Sequence, residues 1–420
     1  MTVRRDVGVV LSGGGVNGVL MELGFLKRLR DGPLWERIAV VFGTSSGALA
    51  GLLAALDRLD DLEQFLLALQ PDETFRPNRL WRLPFLGFHD YALPATINDW
   101  FGDFDAFVAQ LAAVPAELVV LATDVTDDRR TEGVGFELVR SSRTTPPAEM
   151  AQAILASAAI SALVMPLRVG DRIATDGSWV RNFPLGHAYD ADVETIVAFR
   201  YLPTYPRLGV DGFRQLRRRL ERFGRIPPVR ALIAELDDAM ERAERGEPAH
   251  PGEMIVRLAR VAILRNTLLE ERFADEKDES LRELSVLRRD VLAAIGDEAT
   301  RERVAARFAA ARFPFRHDRL VPRVTVRGRV AGPGLEAGFR THQPWTVDAK
   351  RALIDEGYRL ADESLRTIER RPQGQRVQMD ERDVPASSDE PVESGGLEDQ
   401  GESDQPWQRE PAESGATEDD

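Results

Sequence analysis

The chain has no cysteine in 420 residues. That removes disulfide scaffolds, Cys-ligated zinc and thiol nucleophiles together. Histidine is scarce as well: His89, His187, His250, His317 and His342 are the five, and none forms the i, i+4 pair that a helical metal cage needs. The first apolar run breaks at Gly13, earlier than a secretory h-region would, so no secretory signal is expected. Two uncharged stretches, residues 38–56 and 150–167, have the length of a membrane span. The first is interrupted by Gly43, Thr44, Ser45, Ser46, Gly47 and Gly51, and the second ends at Met165-Pro166. Both therefore read as buried strand-and-helix material, and the chain reads as soluble and cytoplasmic.

What is present is uneven. Of the net charge of −14, residues 372–420 hold −12, from fifteen acids and three arginines. The rest of the chain is close to neutral. The tail is rich in Asp, Glu, Gln, Ser, Gly and Pro and cannot bury enough apolar surface to offset ordering, so it is expected to be disordered. A near-neutral body with no nucleic-acid motif argues against nucleic acid as a partner.

Apolar runs at residues 7–11, 39–42, 118–122 and 195–199 read as strands, and helical patterns follow the first two. A hairpin is expected through Asp127-Asp128 to residue 138, and a second around Gly170-Asp171. Strands alternating with helices predict an α/β fold, a mostly parallel central sheet flanked by helices. From about residue 211 to 313 the pattern turns helical and rich in Arg and Glu, with breaks near residues 224–228, 246–252 and 296. A strand at 323–330 and a helix at 347–369 return to the core. The domain reading is an α/β core over 1–205, a helical insertion over 206–319, a return with a closing helix over 320–371, and the tail over 372–420.

Three motifs carry chemistry. Gly13-Gly14-Gly15-Val16-Asn17-Gly18 follows a strand and opens a helix, where bare N–H groups and the helix dipole favour a negative group. It satisfies the dinucleotide fingerprint Gly-x-Gly-x-x-Gly, yet the second strand ends Phe42-Gly43-Thr44-Ser45 with no acid to hold a ribose. The same loop offers donors for an oxyanion. Gly43-Thr44-Ser45-Ser46-Gly47 fits the Gly-x-Ser-x-Gly elbow, which holds a serine exposed on a strained strand-to-helix turn. Only Ser45 has glycine at both ±2 positions; a tight packing turn is the plainer explanation of the pattern, but the predicted strand before it and helix after it raise the elbow above that. Thr175-Asp176-Gly177-Ser178 is by itself an ordinary turn. His187 is the nearest histidine after it and is read as structural.

Jointly, in this order, the three motifs resemble the patatin-like phospholipase family over most of residues 6–200. Ala122-Thr-Asp-Val-Thr126, Ala156-Ser-Ala-Ala-Ile160, Asn182-Phe-Pro184 and Glu356-Gly-Tyr358 add to the resemblance. It implies a serine lipid acyl hydrolase: Ser45 as nucleophile, Asp176 as base, and the Gly13, Gly14 and Gly15 loop as oxyanion hole, with no metal or other cofactor. A Ser–Asp dyad lacks histidine's near-neutral pKa, so orientation and the oxyanion hole must carry more of the acceleration. The implied partner is a lipid or phospholipid, with peripheral membrane contact left open. Asn17 stands where the family commonly has Arg or Lys, and Ser178 where it has Gly or Ala.

Two other readings remain: a nucleotide-binding module using the Gly13 loop, and an inactive hydrolase-like scaffold, for which Asn17 is the sequence support. Residues 80–88 concentrate aromatics and aliphatics, better suited to core packing than to a lipid-facing lip. Six arginines between 214 and 225 form a basic amphipathic pattern, read as a salt-bridged solvated face rather than a headgroup site. If the tail is dispensable, a protein ending at Arg371 should keep one cooperative thermal transition and hydrolyse a soluble short-chain ester like the full chain. Loss of that transition on truncation would show the tail ordered against the core.

Overall fold

Strand β1 (Val7–Leu11) is an interior strand of an eight-stranded sheet, in the order β10 (Arg323–Gly328), β9 (Thr195–Tyr201), β1, β2 (Ile38–Thr44), β5 (Glu117–Asp124), β8 (Arg172–Thr175) and β7 (Leu167–Val169), with β6 (Glu137–Ser141) added against β5. The computed structural model describes residues 4–78, 89–126, 136–160, 164–202, 214, 217–218, 220–245, 247, 251–311, 320–330, 335 and 344–369. All of them belong to one compact unit, Met1–Arg371. Helix α1 (Gly15–Arg30) follows β1; β2 (Ile38–Thr44) leads into α2 (Ser46–Ala55). A small antiparallel pair, β3 (Phe75–Pro77) and β4 (His89–Tyr91), precedes β5 (Glu117–Asp124) and β6 (Glu137–Ser141). Helix α3 (Pro147–Ser157), the hairpin β7 (Leu167–Val169) and β8 (Arg172–Thr175), and the short helices α4 (Ser178–Arg181) and α5 (Leu185–Asp190) come next, ahead of β9 (Thr195–Tyr201). After β9 the chain forms helices Pro227–Glu244, α6 (Pro251–Ala294) and Glu298–Ala309, then β10 (Arg323–Gly328) and α7 (Val347–Glu369).

The strands β10, β9, β1, β2 and β5 are mutually parallel, while β6, β7 and β8 pair antiparallel. The α/β class predicted from the alternation of strands and helices is the one observed. Parallel strands buried on both faces need apolar residues at every position. Accordingly Val9, Val41, Val120 and Val197 point into one core, and Val10, Phe42, Leu121 and Ala198 into the other. The two span-like stretches dissolve into β2 with α2 and into α3 with its following loop. Among the described residues, no helix is long and apolar enough to cross a membrane. The hairpin at Gly170-Asp171 forms as read, with Gly170 at φ 60°. Residues 80–88, the turn at Asp127-Asp128 and the tail lie outside the described residues.

Helix α1 is fastened to α7 at backbone distance. A Cβ on Gly24 would stand 1.9 Å from the Ile354 carbonyl oxygen, and one on Gly357 would stand 2.0 Å from that of Met21. Around this contact Arg28 donates to Asp362 at 2.7 Å and Tyr358 to Asp31 at 2.9 Å. On the same helix the Glu22 carboxyl is fully buried and has no hydrogen-bond partner among the described residues. Burial alone pushes its pKa well above the usual carboxylate range. The folded state therefore holds a proton that the unfolded state releases. Stability from this group is complete below the ordinary Glu value, about 4.3, and is lost as pH rises toward the folded-state pKa. Glu22→Gln should thus melt higher than the wild type at pH 8, with the gap closing toward pH 4 in thermal scans. A gap independent of pH would show that Glu22 is solvated in the folded protein.

Candidate active site

The Gly13 loop and Ser45 meet because they leave the carboxyl ends of adjacent parallel strands, with Leu11 of β1 in register with Gly43 of β2. Ser45 has φ 55° and ψ −126°, a left-handed conformation that is strained for a residue with a Cβ. Two glycines make room for it. A Cβ on Gly43 would stand 2.4 Å from the Gly47 carbonyl oxygen, and one on Gly47 would stand 2.8 Å from the carbonyls of Leu11 and Ser12. The Ser45 N–H donates to Ser157 Oγ at 2.8 Å, and the Ser157 hydroxyl donates in turn to the Leu121 carbonyl at 2.5 Å. A buried serine on α3 thereby pins the elbow to β5.

The Ser45 hydroxyl donates to Asp176 Oδ2 at 2.7 Å, and both residues are buried. Asp176 follows β8. Its N–H donates to the Ala159 carbonyl at 3.0 Å, its carbonyl accepts from Thr123 Oγ1 at 2.7 Å, and its Oδ1 accepts the Ser178 N–H at 2.8 Å. Burial raises the Asp176 pKa, and hydrogen bonds from Ser178 and Ser45 offset this only in part. The sequence suggested an ordinary turn at Asp176-Gly177. In the structure Gly177 has φ −67°, open to any residue, and its requirement is steric: a Cβ there would stand 2.3 Å from the Leu121 carbonyl oxygen.

The three loop amides read together from sequence have different partners. Gly13 N–H donates to the Asn182 carbonyl at 3.0 Å and Gly14 N–H to Ser46 Oγ at 3.1 Å. Gly15, at φ 58°, opens α1, where the first N–H groups lack intrahelical acceptors. A Cβ on Gly13 would stand 3.0 Å from that of Ser45, so the loop abuts the serine. Asn17 is buried one turn into α1, and its Oδ1 accepts the Leu335 N–H at 2.8 Å.

His187 is engaged elsewhere: its Nε2 lies 3.1 Å from Glu137 Oε2. Burial pushes the Glu137 carboxyl up, but His187 and Arg181 outweigh it and hold the pKa below the usual range. The arginine-rich stretch also meets acids, Arg214 with Glu244 at 3.1 Å and Arg217 with Glu221 and Asp237. Among the described residues, no three His, Asp or Glu side chains converge as metal ligands would.

A serine on a strand-to-helix elbow beside a glycine loop, in a mostly parallel sheet covered on both faces, defines a class of α/β protein. Within that class, residues 9–189 match the family described as patatin-like phospholipase. The matched segment runs from β1 to α5 and is similar to that family over this stretch. No curated protein matches the chain. Among solved structures, VipD from Legionella pneumophila is similar at 13% identity and a TM-score of 0.38, over 86% of this chain and 68% of that one. At that score the alignment bears on neither the fold nor the activity argued here.

Ser157 lies in the Ala156–Ile160 motif, which had no role assigned from sequence, and its contacts are testable. Ser157→Ala would leave the Ser45 N–H without its acceptor in a dry site, a cost of about 1–3 kcal/mol. The urea midpoint should fall accordingly, and an unchanged midpoint would mean that the elbow does not depend on this bond.

Proposed function

We propose that the protein is a serine lipid acyl hydrolase cleaving carboxylic esters of lipids, with Ser45 as nucleophile and Asp176 as base. The observation that supports this most directly is the 2.7 Å hydrogen bond from Ser45 Oγ to Asp176 Oδ2 on a strained elbow. Asp176 accepts the hydroxyl proton as Ser45 Oγ bonds to the ester carbonyl carbon. The carbonyl electron pair moves onto oxygen, giving a tetrahedral oxyanion. Gly15 N–H, with the Gly14 N–H now shared with Ser46, faces the developing charge, and the N-terminus of α2 adds its dipole. As the oxyanion collapses, the C–O bond to the alcohol breaks and that alcohol takes the proton from Asp176. Water then attacks the acyl-serine, its proton passing to Asp176 and on to Ser45 Oγ, and the carboxylic acid leaves.

A buried base with a raised pKa is a stronger proton acceptor, which suits a dyad without histidine. The nucleotide-binding reading is poorly served, since β2 runs straight into the Ser45 elbow with no acid at its end to hold a ribose. The helices between β9 and β10 we read as an insertion into the hydrolase core.

The test is kcat/KM on one soluble ester, with folding checked by circular dichroism. Ser45→Ala should abolish hydrolysis, and Ser46→Ala should leave a measurable rate. Asp176→Asn should lose ~10²–10⁴-fold, whereas His187→Gln should lose far less. The wild-type rate should fall in acid through an apparent pKa above the ordinary Asp value of about 3.9, because only ionised Asp176 accepts the proton. Full activity in Ser45→Ala, or a collapse confined to His187→Gln, would overturn the assignment.

A further inference from the structure

Helix α6 lies outside the matched segment, yet two of its side chains reach the loops around Ser45. Asn182, buried just after α4, is the junction. Its carbonyl accepts the Gly13 N–H at 3.0 Å, and its Nδ2 donates to the Gly13 carbonyl at 3.3 Å. Both polar groups of Gly13 are thus held by one residue. Asn182 is held in turn by α6: its Nδ2 donates to Thr267 Oγ1 at 2.9 Å, and its N–H donates to Asn266 Oδ1 at 3.2 Å. The Thr267 hydroxyl spends its proton on the Ile263 carbonyl at 2.8 Å, so it can only accept from Asn182. Asn266 Nδ2 donates to the Ser178 carbonyl at 2.7 Å and to that of Trp179 at 3.2 Å. Ser178 is the residue whose N–H holds Asp176 Oδ1. Two adjacent residues of one helix therefore brace the glycine loop on one side and the Asp176 turn on the other.

Alternative roles for this part of α6 are weaker. Residues with no task beyond solubility would not be buried, and Thr267 is fully buried. A purely local helix contact would not satisfy four separate groups of the site loops. Resting on the hydrolase reading above, we infer that Asn266 and Thr267 are positioning residues, which set the place of the oxyanion donors and of the base through Asn182 and Ser178. Small misplacement of such groups is expensive in rate, up to ~10²-fold for about 1 Å, while ground-state binding of a short ester is little affected.

The experiment compares wild type, Thr267→Val, Thr267→Ser and Asn266→Ala in the full chain. Active sites are counted by fluorophosphonate labelling, so that misfolded protein does not lower the rate per site. Thr267→Val keeps the shape and removes the acceptor. Its kcat per labelled site should fall ~10–100-fold with KM within about twofold, and Thr267→Ser should restore most of it. The affinity for a trifluoromethyl ketone, which forms a tetrahedral oxyanion on serine, should fall in parallel with kcat. Amide exchange of the peptide containing Gly13 should quicken in Thr267→Val and Asn266→Ala. Unchanged kcat, inhibitor affinity and exchange in Thr267→Val would overturn the inference while leaving the hydrolase reading intact. A loss of labelled sites with normal kcat per site would also overturn it, by showing a structural role alone. If the wild type, or Ser45→Ala as the control, fails to show Ser45-dependent hydrolysis, the hydrolase reading falls. Amide exchange then still decides whether α6 holds the glycine loop.

Discussion

Everything at the candidate site depends on how closely the backbone of the elbow approaches the end of β1. Gly47 lies against the carbonyls of Leu11 and Ser12, where a Cβ would stand 2.8 Å away. That approach lets the chain reverse within a few residues, forces Ser45 to φ 55° and presents its hydroxyl to Asp176. A methyl group at Gly47 would part the two strand ends, and with them the glycine loop from the serine. The strain at Ser45 is held by interactions that converge on it: its N–H on Ser157, its carbonyl accepting from Ala48 at 2.9 Å, and its hydroxyl on Asp176. The patatin-like phospholipase match over residues 9–189 spans all of these residues.

The parts legible in the sequence are those fixed by backbone geometry. Glycines at 13, 14, 43 and 47 mark places where a Cβ will not fit, and such constraints leave a local pattern. The parallel strands were legible because burial on two faces writes unbroken apolar runs. Asn266 and Thr267 left no such trace, and Ser157 stood in a motif without its role being legible. A serine in a small-residue helix and an Asn-Thr pair in a long amphipathic one are common, and their partners lie 112, 84 and 85 residues away. Only the folded chain reveals that these polar groups are buried. Ser178 was visible as one small residue replacing another. Its N–H bond to Asp176, and the grip of Asn266 on its carbonyl, come from the fold.

Charge shows the same division. The arginines from 214 to 225 form a basic pattern in sequence, yet the acids that meet Arg214 and Arg217 lie mostly on the following helix. His187 stands eleven positions beyond Asp176, and its bond to Glu137 depends on β6 lying beside β5. The salt-bridged face and the structural histidine agree with the reading from sequence, but the identity of most of the acids they meet depends on the fold.

The contact between Gly24 and Gly357 has a consequence for the order of assembly. Helix α1 begins at the glycine loop, and its Met21–Gly24 surface is shaped to receive the backbone of α7. During synthesis some 330 residues must emerge between the two, and until then a groove of bare backbone and apolar side chains on α1 has no cover. Contacts of such sequence separation form late and slowly. The helix that carries the glycine loop is therefore among the last to be fully seated. A nascent chain holds every residue of the Ser45 site long before it holds the clasp that seats the helix beside it.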